Sequence, residues 1–353
     1  MHLPSILERF FRQTASLSPL AAGDRILVAF SGGPDSTALL LGFSQLSRQL
    51  PLEILAVHLD HGLDPGSAGR AAAAAGLAGR LGVPFVAFRR EIPALRHPGE
   101  SLEVAGRRVR YDLFATLRAE TGARYVATAH HRDDQAETVL LRLLFGSGLA
   151  GLAAIQPVSP STGVVRPLLD VPRQALAAAV AAAGLSPVDD PTNGDLSLPR
   201  NRLRHQLLPA LATADPDLPE RLARLAARAA GARRRIEERL EEVLAPRVDP
   251  SGVSIERRGF EQLPESLRRF ALGALHRRAG APYPASAAAR AELLRQLLAP
   301  HAVGCDCGGG WRWEGRRDGR TRRLALRRAP GFTYTLRMSS DRAGSTEVKT
   351  DGA

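Results

Sequence analysis

The run Ser31-Gly32-Gly33-Pro34-Asp35-Ser36-Thr37 concentrates the residue types that hold phosphate. Adjacent glycines let the backbone turn tightly and bring its N–H groups against a ligand. Ser31, Ser36 and Thr37 add hydroxyl donors at the positive end of a following helix. The glycine spacing of a dinucleotide fingerprint is absent, as is the Lys that completes a Walker loop, so the chemistry indicated is a phosphate cradle of another kind. Taken alone, a glycine pair before a helix also describes an ordinary strand-to-helix turn.

Acidic and basic side chains recur farther along the chain. Asp133-Asp134 precedes Gln135 and Glu137 at the start of an apolar helical pattern. Adjacent carboxylates there either cap the helix, worth about 1 kcal/mol, or hold Mg²⁺ through water and neutralise phosphoryl charge. His130-His131 lacks a compatible Cys or His cluster, which argues against zinc. His58, Asp60 and His61 in AVHLDHGL likewise lack further ligands, so adenosine-pocket contacts or loop packing are more economical. Arg107 and Arg110 fall one turn apart in LEVAGRRVRYDLF and can face one cleft, a pattern shared by solvated surface helices. Gly146 and Gly148 either end a helix or admit close approach of a nucleotide. Asp190, Asn193 and Asp195 suit a turn-rich loop, after which Arg200, Asn201, Arg204 and His205 form a basic approach to a helix.

These side chains need a scaffold that gathers them. Residues 4–17 read as an amphipathic helix, 26–30 as a buried strand, and a helix follows from Ser36. Strands are expected at 52–59, 83–88 and 125–129, with an Ala-rich helix at 69–81 and another helix from Leu102 after an exposed loop at 93–103. The βαβαβ order implies a parallel sheet with right-handed crossovers and ligands at strand ends. A further helix is expected at 174–183. From about Pro209 the composition shifts to Leu, Ala, Arg and Glu, predicting a long helix at 217–245. By default it connects domains; Arg233, Arg234 and Arg235 also offer it a phosphate-binding face. Short helices at 260–263, 264–279 and 286–298 precede a terminal hairpin around Trp311, Trp313, Leu324 and Leu326. The tryptophans either cement a small core or stack on a base. The resulting division is a catalytic domain at 1–209, a helical connector at 210–247, a small helical domain with its hairpin at 248–335, and a flexible tail at 336–353.

The 353 residues carry 48 basic and 36 acidic side chains, a formal charge of +12 dominated by Arg, which suits a polyanionic partner. A coding bias toward Arg, Ala, Gly and Pro gives the same composition. Only Cys305 and Cys307 occur, with no disulfide framework, secretory signal or long apolar run, so a soluble cytoplasmic protein is expected.

The run SGGPDST closely resembles the pyrophosphate-binding loop of the N-type ATP pyrophosphatases, which activate a substrate with AMP. With HLDHGL, LEVAGRRVRY, HHRDDQAET, FGSGLAGL, RPLL and DPTN in order over residues 23–209, the chain resembles the tRNA(Ile)-lysidine synthetase family. The resemblance implies an α/β fold, an open, mostly parallel sheet with flanking helices, followed by a small mainly helical domain. It implies a ligase using ATP and Mg²⁺, with the CAU-anticodon tRNA(Ile) and free L-lysine as partners; a homodimer is left open. The wobble cytidine C2 oxygen attacks the α-phosphate of ATP, releasing pyrophosphate, and the lysine ε-amine then displaces AMP.

Carried onto this chain, Ser31, Gly32, Gly33, Pro34, Asp35, Ser36, Thr37 and His58 bind ATP, and Asp35 and Asp133 serve the metal. Arg107, Arg110, Asp133 and Asp134 are the catalytic candidates, Arg110 first. Glu103, Tyr111, Glu137, Gly146, Gly148, Arg166, Asn193, Arg200 and Arg204 are the substrate candidates. Compared with longer members of the family, the final recognition domain is expected to be absent or sharply reduced, so its RNA contacts are not transferred. The nearest alternative is a tRNA thiolase, against which the lack of any Cys before Cys305 counts; a noncatalytic nucleotide or RNA binder is the other.

Overall fold

The computed structural model of the protein describes residues 1–329 apart from 15, 64–65, 98, 161, 189–193, 195, 197–198, 285, 300–303 and 319–320. Two compact units divide at Ala230 and Gly231.

At the heart of the first unit is β1 (Arg25–Ala29), in which Ile26, Leu27 and Val28 are all fully buried. A continuous apolar run is what a parallel strand covered on both faces requires. Its neighbours are β2 (Glu53–Asp60), β3 (Phe85–Arg89), β4 (Tyr125–Ala127), β5 (Val158–Ser159) and β6 (Val164–Val165), in the order β3-β2-β1-β4-β6-β5. All pairings are parallel except β5 with β6 at the edge. Side-chain alternation sends Ile26 and Val28 into a core with α1 (Leu3–Gln13), α2 (Pro34–Ser47) and α8 (Arg173–Ala182). Leu27 faces the opposite way, against Leu113, Phe114 and Leu117 of α5 (Leu102–Thr121). Enclosure explains why α2 is buried nearly all round rather than along one stripe.

Strand order reverses between β1 and β4, so the crevice of this open sheet lies beyond their carboxyl ends. The phosphate loop leaves β1 there, and α6 (Arg132–Leu144) leaves β4. Between the other elements run α3 (Ser67–Arg80), α4 (Ile92–Leu95) and α7 (Leu149–Leu152).

Several boundaries depart from expectation. α1 stops at Gln13, where Thr14 turns extended, a turn earlier than read. α2 begins at Pro34 rather than Ser36, because the fixed φ of Pro suits a first helical position. The expected loop at 93–103 contains most of α4 and the first residues of α5, whose N-cap Ser101 accepts from the Val104 N–H. Asp133 and Asp134 are inside α6, and the N-cap is His131.

Beyond α8 come α9 (Pro199–Arg202), a π-helical turn (Leu203–Leu207), α10 (Leu208–Ala214) and α11 (Leu218–Leu244), within which the unit division falls. The second unit contains the anticipated helices as α12 (Arg257–Gln262), α13 (Glu265–Ala279) and α14 (Ala287–Leu298). They accompany a five-stranded antiparallel sheet broader than the expected hairpin: β7 (Arg247–Asp249), β8 (Gly252–Glu256), β11 (Thr321–Arg328), β10 (Trp311–Asp318) and β9 (Cys305–Gly308), in that spatial order. Trp313 is fully buried among Val253, Phe260, Leu272 and Leu326, so it builds core, and Trp311 packs at the edge of the same cluster.

Candidate functional site

The phosphate loop is held open by its own hydrogen bonds. Gly32 has φ +85°, and a Cβ there would meet Val188 Cγ2 at 2.9 Å and Ala74 Cβ at 3.1 Å, so only glycine fits. Thr37 Oγ1 donates to Gly32 O at 3.1 Å and Ser36 Oγ to Gly33 O at 3.0 Å. Gly33 is the N-cap of α2 without a side-chain cap, which leaves first-turn N–H groups available to an anion. Ser31 Oγ lies 3.2 Å from Ser36 Oγ. Behind the loop, His58 Nδ1 donates to Phe30 O at 3.0 Å, and burial lowers its pKa.

His131 joins this loop to α6. Its ring is 1% exposed, and Nε2 lies 3.5 Å from both Asp35 Oδ2 and Asp134 Oδ2, with Asp133 Oδ2 3.8 Å from Nδ1. Burial opposes charge on the ring, yet the hydrogen bond to Asp35 and the surrounding carboxylates outweigh it and raise the pKa. Arg173 ties the same groups from α8: its N–H donates to Asp133 Oδ2 at 2.9 Å, and its Nε lies 3.7 Å from Asp35 Oδ1. Asp35 Oδ1 is buried with no hydrogen-bond partner. That orphaned oxygen and the nearby Asp133 suit a hard cation that takes one or two carboxylates and completes its shell with phosphate and water. Among the described residues no group of three or more His, Cys, Asp or Glu is arranged to hold a metal unaided.

Deeper along α6, Asp134 and Glu137 lie one turn apart and share two arginines. Arg200 donates from Nε to Glu137 Oε2 at 2.9 Å and from Nη2 to Asp134 Oδ1 at 3.0 Å. Arg204 donates from Nε to Glu137 Oε1 at 2.5 Å and from Nη2 to Asp134 Oδ1 at 2.8 Å. Burial would raise the Asp134 pKa, but His131, Arg200, His130 and Arg204 together hold it below its ordinary value. The expected pair Arg200 and Arg204 is therefore present as a lining of the acidic pocket, with its charge engaged by carboxylates.

A basic wall comes from α5 and β6. Arg107 stacks over the Tyr111 ring at 4.9 Å, and buried Arg166, which follows β6, donates to Tyr111 Oη at 3.0 Å and to Gln156 O at 2.7 Å. Arg110 Nη2 donates to His61 Nε2 at 2.8 Å. Arg110 is solvent-accessible overall, while desolvation of its guanidinium and the like charge of Arg107 lower its pKa against the pull of Tyr111. His130 sits among these cations, with Nδ1 2.9 Å from Thr128 Oγ1. Burial, then Arg166, Arg200 and Arg107, overcome Asp134 and drive its pKa down to about 3, so the ring is neutral near pH 7.

Glu103 is exposed in the first turn of α5; Gly146 has φ +68° just past α6, and Gly148 caps α7. Among the described residues no hydrogen bond joins these three to the cluster. Asn193 and the rest of its DPTN run lie outside the described residues, as does the tail. Three residues of the site were not singled out as ligands in sequence: His130 and His131, considered only for zinc, and Arg173, one residue before an expected helix. His61 was weighed as a metal ligand, an adenosine-pocket contact or loop packing, and not as a partner of Arg110.

The PP-loop domain family matches residues 6–211. The chain is 43% identical over 257 residues to the tRNA(Ile)-lysidine synthase of Methylobacterium nodulans, covering 71% of this chain and 74% of that protein. With the tRNA(Ile)-lysidine synthase of a Bradyrhizobium species it shares 39% identity over 314 residues, covering 84% and 85%. Against that of Geobacter sulfurreducens it is 43% identical over 212 residues, 58% of this chain and 44% of the longer relative. Among solved structures, the U34-tRNA thiolase NcsA from Methanococcus maripaludis superposes with a TM-score of 0.52 at 17% identity, over 65% of this chain and 79% of that one, a likeness of fold.

Proposed function

We infer the reaction from one premise: the chain belongs to the PP-loop domain family and, within it, to the tRNA(Ile)-lysidine synthases. It is a carbon–nitrogen ligase that spends ATP to give AMP and diphosphate. Its substrates are tRNA(Ile) with a CAU anticodon, free L-lysine and ATP, and such substrates place the work in the cytoplasm. The observation that carries the local reading is the contact between Asp35 of the phosphate loop and His131 at the head of α6, 3.5 Å apart. It joins the phosphate cradle and the acidic pocket across one crevice.

In the first step the wobble cytidine C2 oxygen attacks the α-phosphate of ATP and pyrophosphate leaves. Ser31, Ser36, Thr37 and the first-turn N–H groups of α2 hold the departing pyrophosphate, while Arg107 and Arg110 face the charge that develops during transfer. Asp35 and Asp133 would hold Mg²⁺, which when bound neutralises phosphate charge. In the second step the lysine ε-amine attacks C2, the C2–O bond breaks, and AMP departs with the oxygen. Asp134 and Glu137 receive the lysine ammonium before attack, in exchange for part of their pairing with Arg200 and Arg204, and one of these carboxylates takes the proton the nitrogen must lose to become the attacking amine. Released guanidinium groups then face the RNA backbone. Fixed charges are most effective where they meet charge present only in the transition state.

Purified protein incubated with ATP, Mg²⁺, labelled lysine and CAU-anticodon tRNA(Ile) should place lysine on the wobble cytidine and release AMP and pyrophosphate in equal amounts. A folded protein that binds ATP and the tRNA but forms no lysine adduct would overturn the reading.

A further inference from the structure

Arg110 differs from Arg200 and Arg204 in the kind of group that holds it. Those two lie on carboxylates, whereas Arg110 donates from Nη2 to His61 Nε2 at 2.8 Å, and among the described residues no carboxylate pairs with it. A guanidinium has only donors, so Nε2 is the acceptor and a neutral His61 carries its proton on Nδ1. The ring is placed from two sides. His61 directly follows β2, and its carbonyl accepts from the Ile92 N–H at 3.1 Å, the first residue of α4. On the other side is Gly106, one turn before Arg110 on α5, where an added Cβ would sit 3.5 Å from His61 Cε1 and Nδ1. The imidazole thus lies along the bare face of α5 and reaches the Arg110 fork.

The chemistry of the acceptor matters. A carboxylate would orient the guanidinium and cancel its charge, whereas a neutral nitrogen orients it and leaves the charge for a ligand. His61 follows β2 by one residue and His58 lies on β2 itself, its ring holding Phe30 O at the head of the phosphate loop, so the Arg110 partner sits at the strand end that borders the nucleotide side of the crevice.

We propose that His61 is a positioning residue for Arg110: a neutral acceptor that aims the guanidinium at the phosphoryl group being transferred without cancelling its charge. This rests on the assignment of Arg110 to charge stabilisation in the adenylation step. His61→Ala should lower kcat for lysine incorporation roughly 10- to 100-fold, less than loss of a direct donor, with KM for ATP and lysine within about twofold of wild type. His61→Gln, whose Oε1 can occupy the place of Nε2, should recover most of the rate. On an Arg110→Ala background, removing His61 should have no further effect. An equal loss in both backgrounds, or a folded His61→Gln as impaired as His61→Ala, would overturn the proposal. A reading independent of turnover comes from ¹⁵N NMR of labelled histidine. His61 should be the Nδ1–H tautomer in the free protein, and its ring signals should move in Arg110→Ala; an Nε2–H tautomer sinks the proposal. Failure of wild type to form lysidine would instead overturn the reaction assigned above, leaving the tautomer to decide the role of His61.

Discussion

Glu137 is 1% exposed and accepts from both Arg200 and Arg204, so its charge is tolerable only while those partners stay. Breaking a buried pair is costly because the remaining ion is stranded. Arg204 is the more enclosed partner, 20% exposed against 37% for Arg200. Arg204→Ala should therefore lower unfolding free energy by about 2–3 kcal/mol, at or below the range for a broken buried pair because Arg200 remains. Arg200→Ala should cost about 1 kcal/mol after solvent screening is allowed for. Urea unfolding of the two variants decides the order, and equal losses would mean that enclosure does not set it. The pH sign follows from Asp134, whose folded pKa lies below the ordinary carboxylate value. As pH falls the unfolded chain takes the proton first, so this contribution is intact above the ordinary value near 3.8 and is lost below it. At the phosphate loop, Gly32→Ala combines a left-handed backbone with contacts of 2.9 and 3.1 Å, and should cost about 2–4 kcal/mol and depress ATP binding. Calorimetric titration of a folded Gly32→Ala with unchanged ATP affinity would contradict the cradle. Ser31 to Thr37 was legible because all its chemistry is contiguous. The Arg200 and Arg204 partnership was not, because 63–70 residues separate each arginine from its carboxylates and nothing local marks the pairing.

Elements joined by one buried polar contact show the same limit and give another test. His276 of α13 is fully buried; its Nδ1 donates to Pro282 O at 2.7 Å, and its Nε2 accepts from Trp313 Nε1 of β10 at 2.9 Å. Accepting from Trp313 requires a neutral ring with its proton on Nδ1, and burial lowers its pKa against the opposing carbonyl contact. An unfolded chain therefore binds the proton first as pH drops, so the stability of this contact is complete above about 6.5 and declines below it. Thermal unfolding of the whole chain should show the second unit losing stability between about pH 6.5 and 5, a range beginning at the ordinary His pKa. His276→Phe should flatten that dependence while lowering stability at neutral pH, because Trp313 Nε1–H then lacks its acceptor. An unchanged slope in His276→Phe would assign the acid sensitivity elsewhere. Sequence periodicity exposed the helices α12 to α14 and the hairpin, since their apolar positions repeat locally. It missed β8, five residues long, β7, whose Arg247, Val248 and Asp249 are all exposed, and β9, a Cys-Asp-Cys-Gly run with weak strand preference. Strands of that kind are specified by partners: β7 by β8, and β9 by β10 across a register shift beside Trp311 and Arg312.

At the scale of the whole molecule, the formal charge of +12 has two explanations that composition alone leaves side by side, a polyanionic substrate or an arginine-rich coding bias. Many arginines are spent internally: Arg224 on Glu220, Arg269 on Glu265 and Arg277 on Glu237 are exposed or half-exposed pairs. Arg233 and Arg234, expected as a phosphate-binding face on α11, lie 3.7 and 3.8 Å from Glu237 and Glu238 one turn on. Such pairs cancel charge and contribute only about 0.3–0.5 kcal/mol each, so they neither hold the fold together nor attract RNA strongly. What remains for a partner is the surplus. If that surplus meets tRNA phosphates, binding must release condensed counterions, and the logarithm of the association constant should fall linearly with the logarithm of salt concentration. A footprint of about 6–10 phosphates predicts a loss of roughly 10³- to 10⁵-fold between about 50 and 200 mM salt. Arg235→Glu, exposed on α11 and distant in sequence from the crevice residues, should reduce the slope by about one contact if α11 tracks the backbone, because a phosphate contact is worth about one counterion. Filter binding of CAU-anticodon tRNA(Ile) across a salt series measures both quantities. A slope near zero with binding retained would attribute the arginine excess to composition and place recognition in the crevice alone.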